Sequence, residues 1–197
     1  MCRRFTLIAE GPLLAETFKV PNPPFDRIDM RDAGPGSPVL VVRQAGLQRQ
    51  IEIAHWGLIP AWVADPNEAP KPAHARAETL AVNGTFQGAF RRKRCLIPVS
   101  WFPVAETGPL AASRTGGLLV LAGLLEDWQG PHGEIMCSTC LITVPSAGPL
   151  APFAARQPAV LPEAAWPLWL DPAAQPRELT PLLRAEGAAL TIDIQAR

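Results

Sequence analysis

The sequence predicts an α+β fold: one domain over residues 1–197, with a mainly antiparallel or mixed, barrel-like β core, short peripheral helices and proline-rich loops. Three observations predict it. Most of the apolar segments have strand length and composition. The segments with helical spacing are short. Of the 23 prolines, nine fall between Pro145 and Pro181, which leaves that part as loop with brief helices.

In chain order, residues 5–8 read as a short strand that anchors the N-terminus against a sheet. Residues 12–18 allow one or two helical turns. Residues 21–38 hold Pro21, Pro23, Pro24, Pro35 and Pro38 with Gly34 and Gly36, and are expected to be loop. Residues 38–43 and 50–54 flank a polar connection as a β-hairpin. The stretch 55–62 then leads into a second proline-bearing loop that reaches Ala73. In residues 85–94, Phe86, Ala89 and Phe90 recur at helical spacing, with Thr85 at the expected N-cap. Arg91, Arg92, Lys93 and Arg94 follow, where cations complement the helix dipole, so this basic run reads as a solvated helix end in preference to a dedicated phosphate site. Strands are expected at 95–98, 118–126 and 135–144, helices around 163–170 and 178–185, and a last strand at 189–194. No internal repeat, low-complexity tract or linker interrupts the chain.

Composition narrows the function classes. The 48% hydrophobic content excludes general disorder and supplies a substantial core. No apolar run reaches spanning length, and the longest, residues 118–125, is broken by Gly123. Without a recognisable signal segment, the expectation is a soluble intracellular protein with four reduced cysteines. Formal net charge is zero, but residues 1–100 carry 13 Lys+Arg against 9 Asp+Glu, and residues 101–197 carry 5 against 9. A local basic face fits that balance; whole-molecule attraction to nucleic acid does not.

The opening residues Met1, Cys2, Arg3, Arg4 and Phe5 hold the most distinctive chemistry. If Met1 is trimmed, Cys2 presents an α-amine with pKa near 7.7–8.0 and a thiol near 8.5 on one residue. The amine can attack an aldehyde to give a Schiff base, and the thiol can close onto it as a five-membered ring. The thiol can also attack an amide, with the amine as base. Arg3 and Arg4 would favour thiolate and attract an anion. The bland alternative is a small residue at a frayed end.

Other chemistries are absent. No G-x-S-x-G, H-E-x-x-H, Walker or G-x-G-x-x-G segment occurs, and no cofactor or metal site is predicted. Cys137 and Cys140 have C-x-x-C spacing, but residues three apart on a strand face opposite ways. Cys95 lies in an apolar strand and reads as structural. His132 reads as a surface turn residue, and His55 gives no clear signal.

At His74-Ala75-Arg76-Ala77-Glu78-Thr79 the chain resembles the N-A-R-A-E-T motif of the SOS response-associated peptidase (SRAP) family. Met1–Phe5 resembles the family start M-C-G-R-F. Trp56–Trp62 resembles W-G-L-I-P-x-W, and Arg94–Pro98 resembles R-C-L-I-P. Ser100–Pro103 stands where the family has G-W-F-E, and Arg156–Leu161 resembles the end of H-D-R-M-P-V-I-L. The resemblance implies a single α+β domain whose Cys2 lies in a groove for single-stranded DNA. There it captures the ring-opened aldehyde of an abasic site as a thiazolidine; a peptidase-type activity on its own N-terminus is also implied, as is a monomer of a bacterial or phage-related cytosol, nucleoid-associated when bound. Arg4 and Arg76 map onto family phosphate contacts or site arginines, and Trp62, read from the residues themselves, offers a stacking platform.

The departures are as specific. The family asparagine is His74, its acid/base glutamate is Pro103, its histidine is Ala154, Arg3 replaces glycine, and Gly84 falls where a DNA-contacting arginine can occur. The family's C-terminal ending is not recognisable in residues 191–197. Three readings stay open. In the first, a cross-linking protein uses Cys2 with His74 as a substitute acid; in the second, a pseudoenzyme binds DNA or a protein non-covalently. The third is an N-terminal-nucleophile amidohydrolase, for which the A-R-A-E-T and W-G-L-I-P segments have no reason to be present.

Overall fold

A strand that is buried on both faces reads as a continuous apolar run, and Val39-Leu40-Val41-Val42 is such a run. Its two faces enter different clusters, which fixes the architecture. The structure is a computed structural model that describes residues 2–21, 23–105 and 109–185, and the backbone of 192–195. In order the elements are β1 (Phe5–Glu10), α1 (Gly11–Phe18), β2 (Arg27–Ala33), β3 (Pro38–Ala45), β4 (Gln48–Trp56) and β5 (His74–Arg76). Then come α2 (Gln87–Arg92), β6 (Arg94–Val99), β7 (Trp101–Pro103), β8 (Leu110–Ser113), β9 (Leu119–Gln129) and β10 (Ile135–Pro145). The chain closes with β11 (Arg156–Pro158), α3 (Trp166–Leu170), α4 (Pro176–Leu179) and β12 (Ile192–Gln195).

Strands β4, β3, β6, β9 and β10 pair in that order, and β10 returns to β4 through parallel pairs Ser138–His55 and Thr139–Trp56. These five strands close a mixed, mostly antiparallel barrel, with β5 and β11 added along β10. Closure removes the exposed edges that an open sheet would present. A second sheet, β12-β8-β7-β1-β2, carries the N-terminal strand. On the outer barrel face, Leu40, Val42, Leu96, Leu124 and Ile142 pack under Phe18 of α1, Phe90 of α2 and Trp169 of α3. On the other face, Val41, Trp56, Cys95, Ile97, Leu121 and Leu141 fill the interior with Cys2 and Phe5. The far end of that interior is polar: Arg43 lies 3.1 Å from Asp127 and 3.3 Å from Glu52, beside Cys137.

Interior packing explains Gly123. A Cβ there would lie 2.7 Å from both Cys95 Sγ and Ile97 Cδ1. Gly123→Ala is expected to lose about 1–3 kcal/mol of stability by overpacking, measured as a lowered urea midpoint at unchanged m-value.

The hairpin over residues 38–54 and the strands at 95–98, 118–126 and 135–144 appear where the sequence predicts them. Cys137 and Cys140 diverge as expected, one against the interior cluster and the other in the outer one. Three expectations need correction. Residues 21–38 are not all loop, because β2 runs through them as an edge strand with its ions paired along it. Thr85 does not cap α2; its N–H donates to Asn83 Oδ1, and the helix starts after Phe86. Arg94 does not end a solvated run; it is 4% exposed and opens β6. Of the strand expected at 189–194, residues 192–194 fall in β12, which pairs with β8, and 189–191 lie outside the described residues.

Candidate active site at the N-terminal end of the barrel

Cys2 is buried, 2% exposed, at the mouth of the interior cluster. Two neighbours fix it. Its thiol donates to the Arg4 carbonyl at 3.2 Å, and its own carbonyl accepts from His74 Nε2 at 2.6 Å. A carbonyl only accepts, so the bond assigns the proton of His74 to Nε2. His74 is oriented in turn by Trp56, whose ring meets the imidazole edge-on with centroids 5.8 Å apart. Trp56 is held by its Nε1 donating to the Ala73 carbonyl at 2.8 Å and by contact with Phe5 at 5.0 Å.

Local geometry delivers His74 to this place. Gly57 follows Trp56 with φ +147, a region that disfavours side chains, and its N–H bonds the Thr139 carbonyl. The loop after it returns as β5, parallel to β10 through Leu141–His74 and Thr143–Arg76. On that strand Ala75 turns into the core, so His74 and Arg76 share the opposite face. Arg76 is exposed and has no side-chain ion pair among the described residues. Just beyond it Glu78 holds Arg156 through two 2.8 Å bonds, and Arg156 also donates to Thr143. The guanidinium keeps the Glu78 carboxyl below its usual range.

The electrostatics differ from the sequence expectation at the nucleophile. Burial pushes the Cys2 thiol up to about 12, only partly offset by the backbone at Arg4. The Arg4 guanidinium does not activate the sulfur; it lies 3.0 Å from Asp32, with both side chains well exposed. The resting group is therefore a thiol, not a thiolate. Burial also pulls His74 below its ordinary value, opposed by its bond to Cys2 and reinforced by the charge of Arg3. The imidazole is thus a neutral donor at neutral pH.

Trp62 is 73% exposed and walls a cleft of about 460 Å³ with Pro60, Pro70, Lys71, Pro72 and Phe86. Pro72 lies two residues before His74, so the cleft adjoins the start of β5. The structure thus brings Cys2, Arg4 and His74 together, places Arg76 on the same strand face as His74, and leaves Trp62 on the adjoining cleft. Pro103 ends β7, antiparallel to β1 through Thr6–Trp101, which sets it at the Cys2 end of that strand. Sequence reasoning missed Asp32, whose role carries no motif. Its positive φ of 53 and its bond to Arg4 show only in three dimensions.

Three comparisons bear on this arrangement. A protein from Bacteroides thetaiotaomicron superposes with a TM-score of 0.80 at 19% identity, over 99% of this chain and 91% of its own. One from Bordetella bronchiseptica gives the same score at 20% identity; both likenesses concern the fold. In sequence, the chain is 28% identical to the abasic site processing protein YoqW of Bacillus subtilis, over 87% of this chain and 81% of that protein. It is 25% identical to the abasic site processing protein HMCES of Rattus norvegicus, over 59% of this chain and 43% of that protein. The family model described as SOS response associated peptidase (SRAP) matches residues 1–194, from the Cys2 end through β5, Arg156 and into β12, and the chain therefore belongs to the SRAP family.

Proposed function

We propose that this protein acts as a monomer, one functional unit over residues 1–197, on abasic sites in single-stranded DNA in the cytosol. It captures them covalently through Cys2 in the response to DNA damage. The carrying observation is the 2.6 Å bond from His74 to the Cys2 carbonyl, which pins the aminothiol-bearing residue to the start of β5. Relatives named for abasic site processing support the substrate class.

The chemistry balances with no added reagent. After removal of Met1, the Cys2 amine adds to the C1′ aldehyde of the ring-opened sugar. The resulting hydroxyl leaves as water with a proton from the nitrogen, giving an imine. The thiol then adds across the C=N bond, sulfur to carbon and its proton to nitrogen. Arg76 and Arg4 take backbone phosphates, and Trp62 offers a face on which a neighbouring base stacks. His74 holds Cys2 in place, and because burial lowers its pKa, its protonated form supplies an acid only below the ordinary histidine range. Any cleavage at the N-terminus would use the same sulfur.

Intact-mass measurement after mixing with an abasic single-stranded oligonucleotide tests this. The expected product is protein beginning at Cys2 plus oligonucleotide minus one water. Binding without any adduct would instead establish a non-covalent binder. His74→Ala is expected to slow capture by about ten- to hundredfold through misplacement of Cys2, whereas His74→Asn retains most of the neutral-pH rate. Equal losses in the two variants would reject the positioning role. Pro103→Glu should accelerate capture by restoring a carboxylic acid at the Cys2 end of β1.

A further inference from the structure

The two arginines of this site are held in different states. Arg76 is exposed and has no ion-pair partner among the described residues, whereas the Arg4 guanidinium is engaged by Asp32 at 3.0 Å. Asp32 is placed there by an unusual piece of backbone. It is one of two non-glycine residues with positive φ among the described residues, at 53°. The pairing of β1 with β2 shifts register between Phe5 and Leu7, beside it. Its N–H donates to the hydroxyl of Thr6, which is 7% exposed and cannot follow solvent. Irregularities of this kind re-aim side chains, and here the carboxylate is aimed at the side chain whose backbone carbonyl holds the Cys2 thiol.

We propose that Asp32 is a specificity-determining residue, an internal anionic ligand that Arg4 exchanges for a DNA phosphate. This rests on the reading that a single strand passes Cys2. Both partners are about 60% exposed, so the pair is weak and opens readily. Once the guanidinium turns to a phosphate diester, the Asp32 carboxylate is left unpaired next to that phosphate and repels it. Intact strand is therefore held loosely, by Arg76 more than by Arg4, and slides past the nucleophile. Residence at a lesion comes from the bond to the aldehyde instead of from phosphate affinity.

Asp32→Asn tests the exchange, because asparagine tolerates the same left-handed backbone and removes only the charge. Binding of a fluorescein-labelled undamaged single-stranded oligonucleotide is measured by anisotropy across a salt series. The proteins compared are wild type, Asp32→Asn, Arg4→Ala and the double variant. The expected result is up to about fivefold tighter binding for Asp32→Asn at low salt. The slope of log K against log salt should steepen by about 0.7, one added phosphate contact on a single strand. Both gains should vanish in the double variant, with thermal midpoints unchanged. Wild-type binding that Asp32→Asn leaves unaltered or weakens overturns the exchange alone. A gain that survives removal of Arg4 also overturns it, since only bulk charge would then be acting. Failure of all four proteins to bind overturns the proposed function and the exchange with it.

Discussion

Replacing Cys2 by alanine is expected to abolish the denaturation-resistant adduct with abasic DNA while leaving a borohydride-trappable one. Alanine is also small enough at the second position for Met1 to be removed, so the amine and the imine survive and only ring closure is lost. The electrostatics give the order of events. Burial raises the Cys2 thiol and keeps it protonated, so in the proposed capture the amine attacks first. Sulfur then enters as a thiol whose proton passes to nitrogen. Two measurements check this: intact mass with and without borohydride, and alkylation of native wild-type protein. Cys2 is expected to resist iodoacetamide until the chain unfolds. A stable adduct formed by Cys2→Ala, without reductant, would reject Cys2 as the capturing residue.

Arg94→Met is expected to cost about 3–5 kcal/mol of folding stability, seen as a lowered urea midpoint. The guanidinium donates to three carbonyls, those of Trp169 at 2.6 Å, Phe90 at 2.7 Å and Asp171, and lies over the Trp169 ring at 5.9 Å. It thereby ties the end of α2 and the end of α3 to the first residue of β6. Burial lowers it to about 10, with Asp171 opposing, so it remains charged at neutral pH. Methionine fills the space but leaves the three acceptors without donors. Arg94→Lys keeps the charge and loses the planar fork, so it should recover only part of the loss. A midpoint for Arg94→Met within about 0.5 kcal/mol of wild type would show that the carbonyls find other donors.

Much of the barrel was legible in the sequence because its strands are buried on both faces. Residues 39–42 and 119–125 have no polar member at all, and no other element tolerates such runs between loops. β2 was not legible, since its apolar face is only Ile28 and Met30, two alternations set among arginines, aspartates and nearby prolines. β5, β7 and β11 are three residues each, shorter than any periodicity. Arg94 looked like the fourth of four cations on a helix, and only the arrival of α3 from residue 166 onward shows why it is inside. Cys2, His74, Arg4 and Arg76 were nominated by residue type and motif, and their roles are proposals. The state of the sulfur was not legible, because burial follows from Phe5, Trp56 and the interior cluster closing around it.

The seating of Cys2 among core side chains has a practical consequence for anyone producing this protein. In most domains the first residues trail into solvent and accept an affinity handle without effect. Here a handle fused ahead of Cys2 would convert its amine to an amide and would have to leave past a position that is 2% exposed. Such material would lack the nitrogen on which the proposed capture depends. A preparation that reads as inert would then report on the cloning strategy, not on the chain, and handles are better placed after Arg197.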